Sequence, residues 1–384
     1  MKKIALTISC ALTLAGGGLY AQDNVQPLNI VTTSVPFLRI SPDARAGAMG
    51  DLGVATNPDA NSAFYNLAKT PFAKTPSAIA ATYTPWLKDL GLNDVYLLAA
   101  TGYYKLDELQ ALSGSIRYFS LGNITFTDFN GNILQDTRPR EMGIDVGYSR
   151  KLSERLGLGI ALRYIHSNLV GNYAGGQYKA GNAVAGDISV FYTAQNEAGQ
   201  GWNLGAALSN LGTKIGYTSD DSQKDYIPAN LSIGTSYTHA FDDQNKIMVG
   251  LDLHKLLVPT PPIATGDPAV DQAAINDYRN KSVLGSWFSS FGDAPGGFSE
   301  ELKEFTASVG AEYSYDDLFF ARAGYFYEDR NKGNRKFFSV GVGLKYNFVG
   351  LNFSYLVPSG SGISRNPLSN TLRLGVVFDL GMQE

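Results

Sequence analysis

Several segments near the C-terminus alternate strictly between apolar residues and polar or small ones. In residues 370–380, NTLRLGVVFDL, apolar side chains occupy every second position, with Arg373, Gly375 and Asp379 between them. The same period of two runs through residues 304–315 and 336–348. It places the two sets of side chains on opposite faces of a β-strand. The apolar sets extend over about nine to eleven residues, the length a tilted strand needs to cross a membrane.

Fourteen segments of this kind follow one another along the chain, and bacterial single-chain barrels contain an even number of strands. The connections alternate between long and short, as expected for outer loops and periplasmic turns. The sequence therefore predicts an all-β fold, a 14-stranded transmembrane antiparallel β-barrel over residues 78–384. The predicted strands cover residues 78–84, 96–105, 111–122, 141–152, 156–170, 183–194, 202–212, 227–240, 245–257, 305–316, 318–328, 335–347, 349–358 and 370–380.

The first 21 residues have the layout of a secretory signal peptide. Lys2 and Lys3 precede an apolar run, and small residues end it at Ala21. A lipoprotein signal is the alternative, but the residues before Cys10 match its cleavage box poorly. Cleavage after Ala21 removes the only cysteine, so thiol and disulfide chemistry is excluded. Outside this segment no apolar run is long enough for a membrane helix. We expect a Gram-negative outer-membrane location with loops exposed at the cell surface.

Residues 22–77 precede the first predicted strand and are rich in glycine, alanine and proline. This stretch is too short and too glycine-rich for a domain with its own core. The lumen of a 14-stranded barrel is wide enough to need filling, and glycines allow close approach of the backbone to the wall. We therefore predict an N-terminal plug inside the barrel. A tail that extends into the periplasm is the alternative.

Four stretches resemble those of one known family: residues 40–66 (ISPDARAGAMGDLGVATNPDANSAFYN), 226–234 (YIPANLSIG), 251–262 (LDLHKLLVPTPP) and 372–381 (LRLGVVFDLG). The chain is similar to the PorV (LptO) outer-membrane proteins of the Bacteroidetes type IX secretion system, within the FadL-like barrel superfamily. It has Asn66, Leu67 and Ala68 where fatty-acid transporters of the superfamily have an Asn-Pro-Ala box. The residues of the plug motif are Asp43, Arg45, Gly47, Gly50, Gly53, Asp59 and Asn66.

This resemblance implies a non-enzymatic role in protein secretion. It implies that the barrel binds the C-terminal signal domain of secreted cargo at a large SprA- or Sov-like translocon. It further implies delivery of that cargo to a surface complex with a PorU-like sortase, and contact with outer-membrane lipid. The alternative function is that of a FadL-type transporter of a hydrophobic small molecule. The resemblance implies no cofactor, and the mildly acidic net charge of −4 argues against nucleic acid as a partner.

The longest predicted outer loop contains a group of aromatic residues. Trp287, Phe288, Phe291 and Phe298 lie between predicted strands, on the side that parity assigns to the cell exterior. Exposed apolar patches often mark interaction sites, and aromatic residues supply much of the binding energy at interfaces. We therefore predict that these four residues bind a protein partner. A lid that packs over the barrel mouth, against Trp86 or the plug, is the alternative.

Parity also places charged side chains of both signs in the lumen, and we expect them to form a mutually paired wall that holds the plug. A selectivity ladder for a small solute is the alternative. No catalytic residue or metal ligand is predicted, because only three histidines are present and only His166 is suitably placed at the outer rim. A calcium site at Asp220 and Asp221 remains an alternative. The predicted lumenal charges are Arg117, Asp145, Arg163, Asp187, Asp252, Glu312, Arg322, Lys345, Arg373 and Asp379.

Overall fold

The computed structural model describes residues 29–170, 178–357 and 370–381. Within these residues fourteen antiparallel strands close into one barrel, in which the first strand pairs with the last. The strands are β1 Ser77–Pro85, β2 Val95–Lys105, β3 Gln110–Leu121, β4 Ile124–Thr127, β5 Ile133–Thr137, β6 Arg140–Lys151, β7 Leu156–Asn168, β8 Gly181–Thr193, β9 Gly201–Gly212, β10 Asn230–Ala240, β11 Asn245–Leu256, β12 Thr306–Tyr315, β13 Phe319–Tyr327, β14 Lys336–Tyr346, β15 Val349–Val357 and β16 Leu372–Leu380.

Strands β4 and β5 form a separate hairpin in the outer loop between β3 and β6, and the other fourteen strands build the barrel. The described residues also contain short helices, all in the N-terminal segment or in outer loops. None of the helices among these residues combines the length and hydropathy of a membrane span. The helices are α1 Ala44–Gly47, α2 Pro268–Asn280, α3 Val283–Ser289 and α4 Phe298–Glu301, and the 3₁₀ turns are Pro36–Arg39, Ser62–Phe64, Leu67–Phe72, Lys88–Leu90, Asp221–Gln223 and Leu302–Glu304.

The predicted 14-stranded barrel is confirmed, with strand ends within a few residues of those expected. The predicted signal peptide lies outside the described residues, and the first barrel strand begins at Ser77. The hairpin β4–β5 and the helices of the longest loop were not predicted. We refer to the end of the barrel with the long connections as the outer end, and to the end with the short turns as the inner end.

The two faces of the strands follow the predicted parity. Val309 and Val340 lie on the outside of the barrel with 51% and 44% of their surface exposed. On the opposite face Arg373 is 1% exposed and Ser339 is buried. Because hydrocarbon cannot satisfy polar groups, a closed barrel with an apolar outer surface is the arrangement that crosses a membrane with strands.

The N-terminal segment runs through the lumen from the outer end to the inner end. At the outer end Val31 packs with Tyr226 and Val258, and the backbone N–H of Ser34 donates to the carbonyl of Tyr226 at 2.9 Å. Tyr226 belongs to the outer loop between β9 and β10. At the inner end the hydroxyl of Thr75 lies 2.6 Å from that of Tyr103 on β2. The described part of the segment therefore fills the lumen as a plug.

Between these ends the plug follows the inner wall across successive strands, at positions where the wall has glycine. At Gly324 an added Cβ would lie 2.0 Å from the carbonyl carbon of Met49, so any side chain there would displace the plug backbone. The lumenal face of the barrel is thus shaped to receive this segment. In plug order the contacts are Ala44 with Gly375, Ala48 with Gly341, Met49 with Gly324 and Gly310, Leu52 with Gly250, Val54 with Gly234 and Gly205, and Ala68 with Gly159.

Candidate functional site

Arg45 on α1 bonds to one group of the barrel wall and to two groups of the plug. Its Nε and Nη2 donate to the two carboxylate oxygens of Glu312 on β12 at 2.9 and 2.8 Å. Its Nη1 donates to Asp59 at 2.9 Å and to the carbonyl of Asn57 at 3.0 Å. Arg322 on β13 also donates to Glu312, at 2.6 Å. Two-point pairing of a guanidinium with a buried carboxylate is strong and geometrically specific, so this group fixes the plug to the wall.

Three further plug-motif residues have defined positions. The Asp43 side chain accepts from the backbone N–H groups of Arg45 and Ala46, and so caps the N-terminus of α1. Asn66 donates to the carbonyls of Val54 and of Val190 on β8, which ties the plug to a second wall strand. Gly50 adopts a φ of 69° beside the Tyr325 backbone, a position that only glycine fills without strain.

The other motif glycines make close contacts inside the lumen. An added Cβ at Gly47 would lie 2.4 Å from Nη1 of Arg373, and one at Gly53 would lie 2.4 Å from the ring of Tyr65. The backbone N–H groups of Gly53 and Val54 both donate to the Asp252 carboxylate on β11, at 2.7 and 2.8 Å. The plug is therefore attached through its backbone as well as through side chains.

The lumenal charges of the wall pair with each other and with the plug. Arg163 on β7 bonds to Asp145, Asp187 and Asn210. Arg117 donates through Nη1 to the carbonyl of Leu38 in the plug at 2.9 Å. The geometry agrees with the expected paired wall, whereas a ladder for a small solute would need these groups to face an open passage.

The longest outer loop, residues 257–305, folds back on the rim of the barrel, and we call it the cap. Glu304 is its main attachment point, because its carboxylate accepts from Lys255 at 2.7 Å, Thr260 at 2.9 Å and Lys332 at 3.0 Å. These donors come from β11, the cap itself and the loop after β13. Burial alone would lower the pKa of Lys332, but its bonds to Glu300 and Glu304 outweigh that effect and raise it.

A second attachment lies under helices α2 and α3. Lys214 donates to the carbonyls of Arg279 and Lys281 at 2.5 and 2.8 Å, and the Tyr226 hydroxyl donates to the Lys281 carbonyl at 2.8 Å. Burial raises the pKa of Tyr226 to about 12, with Asp293 adding to the shift, so its hydroxyl remains a donor at neutral pH. The cap is thus held from two sides.

The structure separates the four predicted partner-binding aromatics into two groups. Trp287 is half-buried and lies beside Tyr226, from the loop between β9 and β10, and beside Val258 at the start of the cap. Phe288, Phe291 and Phe298 are 78%, 47% and 76% exposed. Trp287 is therefore the more buried of the four, and we call the three exposed aromatics the cap patch. The ring of Phe291 also lies 5.7 Å from Nζ of Lys255, beside the attachment at Glu304. The exposed Leu284 and Leu302 occur on the same loop.

The alternative was a lid whose aromatics pack on Trp86 or on the plug. Trp86 packs against the cluster that contains Phe37 and Leu38 of the plug.

The carboxylates of the alternative calcium site have local partners. Asp220 accepts from Ser222 and Gln223 within its own turn, and Asp221 pairs with Lys224. These carboxylates are used locally, and no group of three or more metal-ligating residues occurs in the part of the chain that the structure describes.

Comparison with known families assigns this barrel to a secretion system. The family model described as "Type IX secretion system protein PorV" matches residues 22–263, more than half of the chain. The chain belongs to the PorV family. This PorV family member is therefore an outer-membrane protein. Its family is a membrane-protein family and not an enzyme family. Comparison with curated protein sequences gives no match.

The barrel is also similar to solved outer-membrane channels. The sequence identities are so low that this similarity concerns the fold alone. The CymD monoaromatic hydrocarbon channel is 13% identical with a TM-score of 0.50, over 89% of this chain and 98% of that one. The Ralstonia pickettii toluene transporter TbuX is 12% identical with a TM-score of 0.49, over 87% and 96%. A Pseudomonas aeruginosa FadL homologue is 12% identical with a TM-score of 0.45, over 92% and 100%. At a TM-score of 0.50, the similarity to CymD concerns the fold of the barrel alone.

The residues that attach the cap were not singled out in the sequence. Glu304, Lys255 and Lys332 are far apart in the chain and follow no shared motif. The local acidic group at Glu300, Glu301 and Glu304 was a usable signal, since carboxylates that become buried need cationic partners. Lys255 and Lys332 supply those partners here.

Proposed function

We propose that this PorV family member is a carrier for secreted proteins at the outer face of the outer membrane. In this role it binds the C-terminal signal domain of cargo at an SprA- or Sov-like translocon and delivers it to a surface complex with a PorU-like sortase. The observation that carries the proposal is the cap patch, three exposed aromatic side chains on the longest outer loop of a barrel of a type IX secretion family. The partner proteins, and not this barrel, carry out the chemical steps on the cargo.

Two features support the cap as the contact surface. The patch aromatics are exposed although the loop that bears them is anchored at Glu304 and Trp287, so a partner meets a preformed surface. Preformed aromatic surfaces bind with a small loss of conformational entropy. The patch also lies outside the membrane-spanning wall, where a translocated protein would meet it.

The transport alternative has less support in the geometry. The cavity between the plug and the outer strand ends is lined by charged residues such as Arg39, Glu328 and Arg335. A hydrocarbon gains little in such a lining, because it would displace water from these charged groups. The family match and the cap patch both favour a protein as the cargo.

The test is capture of a secreted protein's C-terminal domain by purified barrels. Changing Phe288, Phe291 and Phe298 together to alanine should leave the barrel folded and weaken capture at least about tenfold, because each interface aromatic can contribute over about 1 kcal/mol. The matched control is Phe129→Ala, since Phe129 is a fully exposed aromatic at the tip of the β4–β5 hairpin. Equal capture by the triple variant and the control would remove the cap patch from the binding site.

Trp287→Ala separates the anchoring role from the binding role. It should loosen the cap, seen as faster hydrogen exchange over residues 283–302, and weaken capture indirectly. The triple variant should weaken capture without that change in exchange. If the triple variant loosens the cap as much as Trp287→Ala does, the patch residues act as a lid. The two outer loops at 171–177 and 358–369 lie outside the described residues and are the next places to examine.

A further inference from the structure

The outer loop between β9 and β10, residues 213–229, contacts both the plug and the cap, and we call it the linking loop. Two backbone hydrogen bonds between Ile215 and Asp225, each 2.9 Å long, join its two arms. A residue pair that exchanges both bonds is the unit of an antiparallel ladder. The two arms of the loop are therefore held together and can move as one unit.

On its plug side the linking loop contributes two buried apolar residues. Ile215 and Ile227 belong to a cluster that includes Val35, Phe37 and Leu38 of the plug. Buried apolar contact of this kind is favourable in proportion to the area removed from water. The outer part of the plug is therefore held partly by the linking loop.

On its cap side the linking loop holds the C-terminal end of α2. The Tyr226 hydroxyl donates to the carbonyl of Lys281 at 2.8 Å and lies 3.1 Å from that of Tyr278. Nζ of Lys214 donates to the carbonyls of Arg279 and Lys281, and it lies 4.3 Å from the centre of the Tyr226 ring. The last carbonyls of a helix have no partner within the helix, so these two side chains supply the missing donors.

Tyr226 takes part in both attachments. Its hydroxyl bonds to the cap, whereas its carbonyl accepts from the backbone N–H of Ser34 in the plug at 2.9 Å. The buried side chain also packs with Val31 of the plug and with Val258. Because a close-packed interior leaves little free space, a shift of Tyr226 that follows the cap also disturbs the packing at Val31.

We propose that the linking loop couples the position of the cap to the attachment of the outer part of the plug, residues 29–40. A partner that displaces the cap then weakens this attachment, and a loosened plug in turn loosens the cap. Coupling between two sites is reciprocal by thermodynamic linkage. Its use by cargo rests on the proposed function, whereas the coupling itself is a property of the barrel without cargo.

The test is hydrogen exchange of the full-length barrel in detergent, without cargo, measured by mass spectrometry. Tyr226→Phe keeps the ring and the backbone bond to Ser34 but removes the hydroxyl, and Lys214→Met removes both bonds from Nζ. Each variant should speed exchange over residues 268–290 of the cap about fivefold, because each loses a bond to the end of α2. Each should also speed exchange over residues 30–40 of the plug at least about twofold.

The reverse direction is tested from the plug. Val31→Ala removes packing against Tyr226, so by reciprocity it should speed exchange over residues 268–290 at least about twofold. The control is Thr75→Val, which loses the hydroxyl contact to Tyr103 at the inner end of the plug. This variant should leave exchange of the cap unchanged.

A second control separates coupling from general loosening of the cap. Asp267→Ala removes the N-cap of α2, at the end away from the linking loop. It should speed exchange within α2 and leave residues 30–40 unchanged. If Tyr226→Phe fails to assemble, Lys214→Met and Val31→Ala still decide.

The proposal is overturned if the variants of the linking loop leave the exchange of residues 30–40 as in the unaltered protein. It is also overturned if Asp267→Ala speeds exchange of the plug as much as they do, or if Val31→Ala leaves the cap unchanged. Cargo capture does not enter these measurements, so a failure of the proposed function would not alter their result.

Discussion

The two-point bond between Arg45 and Glu312 is the contact that we expect to hold the plug in place. Arg45→Met keeps a long side chain but removes the charge and all four hydrogen bonds that the guanidinium makes. Glu312 keeps its bond from Arg322, whereas Asp59 loses its cationic partner. The change therefore acts on the attachment of the plug more than on the wall.

Removing one member of a buried ion pair costs about 3–5 kcal/mol. Because Glu312 retains Arg322, we take the lower end, about 3 kcal/mol. At about 1.4 kcal/mol per factor of ten, the population with a detached plug should rise by roughly two orders of magnitude. An exposed ion pair of the plug should contribute much less free energy than this buried one. Lys74 and Asp317 are 87% and 51% exposed, and such pairs contribute at most about 1 kcal/mol.

Single-channel recording in planar bilayers measures the detached population as open time. A barrel that lacks residues 24–76 supplies the fully open reference, and the unaltered protein should stay nearly closed. Arg45→Met should open about a hundredfold more often than the unaltered protein. Lys74→Met should open about as often as the unaltered protein. If the two variants show the same open time, the bond to Glu312 is not what retains the plug. A steady wide conductance of the unaltered protein would refute the plug itself.

Two further predictions concern the two faces of the wall. Val340→Arg places a charge on the lipid side and should lower the free energy of unfolding by about 2–4 kcal/mol near mid-membrane, as measured by urea unfolding in lipid vesicles; an unchanged midpoint would mean that the strand register is wrong. Gly324→Ala should lower that free energy by about 1–3 kcal/mol through overpacking against Met49. The control Gly114→Ala, whose added Cβ would have its nearest contact at 3.7 Å, should change it by less than about 0.5 kcal/mol. Equal unfolding midpoints for the two alanine variants would contradict the close fit of plug and wall.

Strand positions were predictable because apolar and polar side chains alternate between adjacent residues. Each strand must place one set of side chains outward and the other inward, so no distant contact is needed to recognise it. The β4–β5 hairpin was missed although a signal was present. Asn130 and Gly131 lie between the short alternating runs ITFT and ILQDT, and Asn-Gly is a strong hairpin turn.

The contacts of the plug and the cap were not predictable in the same way. Arg45 and Glu312 are 267 positions apart, and nothing near either residue indicates its partner. Trp287 and Phe288 are neighbours on α3, so parity placed both outside the cell. Which one turns toward the rim depends on Tyr226, from the loop between β9 and β10, and on Val258, 29 positions earlier in the cap. Pairing of this kind becomes visible only when the fold brings the segments together.

The path of the plug sets the order in which this barrel can assemble. Val31 lies at the outer end, whereas β1 begins at the inner end, so the chain ahead of the first strand has already crossed the plane of the membrane. At Gly310 and Gly324 the plug backbone lies directly against the wall. We therefore expect the earliest-synthesised part of the chain to lie along the growing sheet before β16 reaches β1. A folded domain fused ahead of residue 29 would stall this closure, whereas one fused after β16 would remain at the inner side and let it proceed.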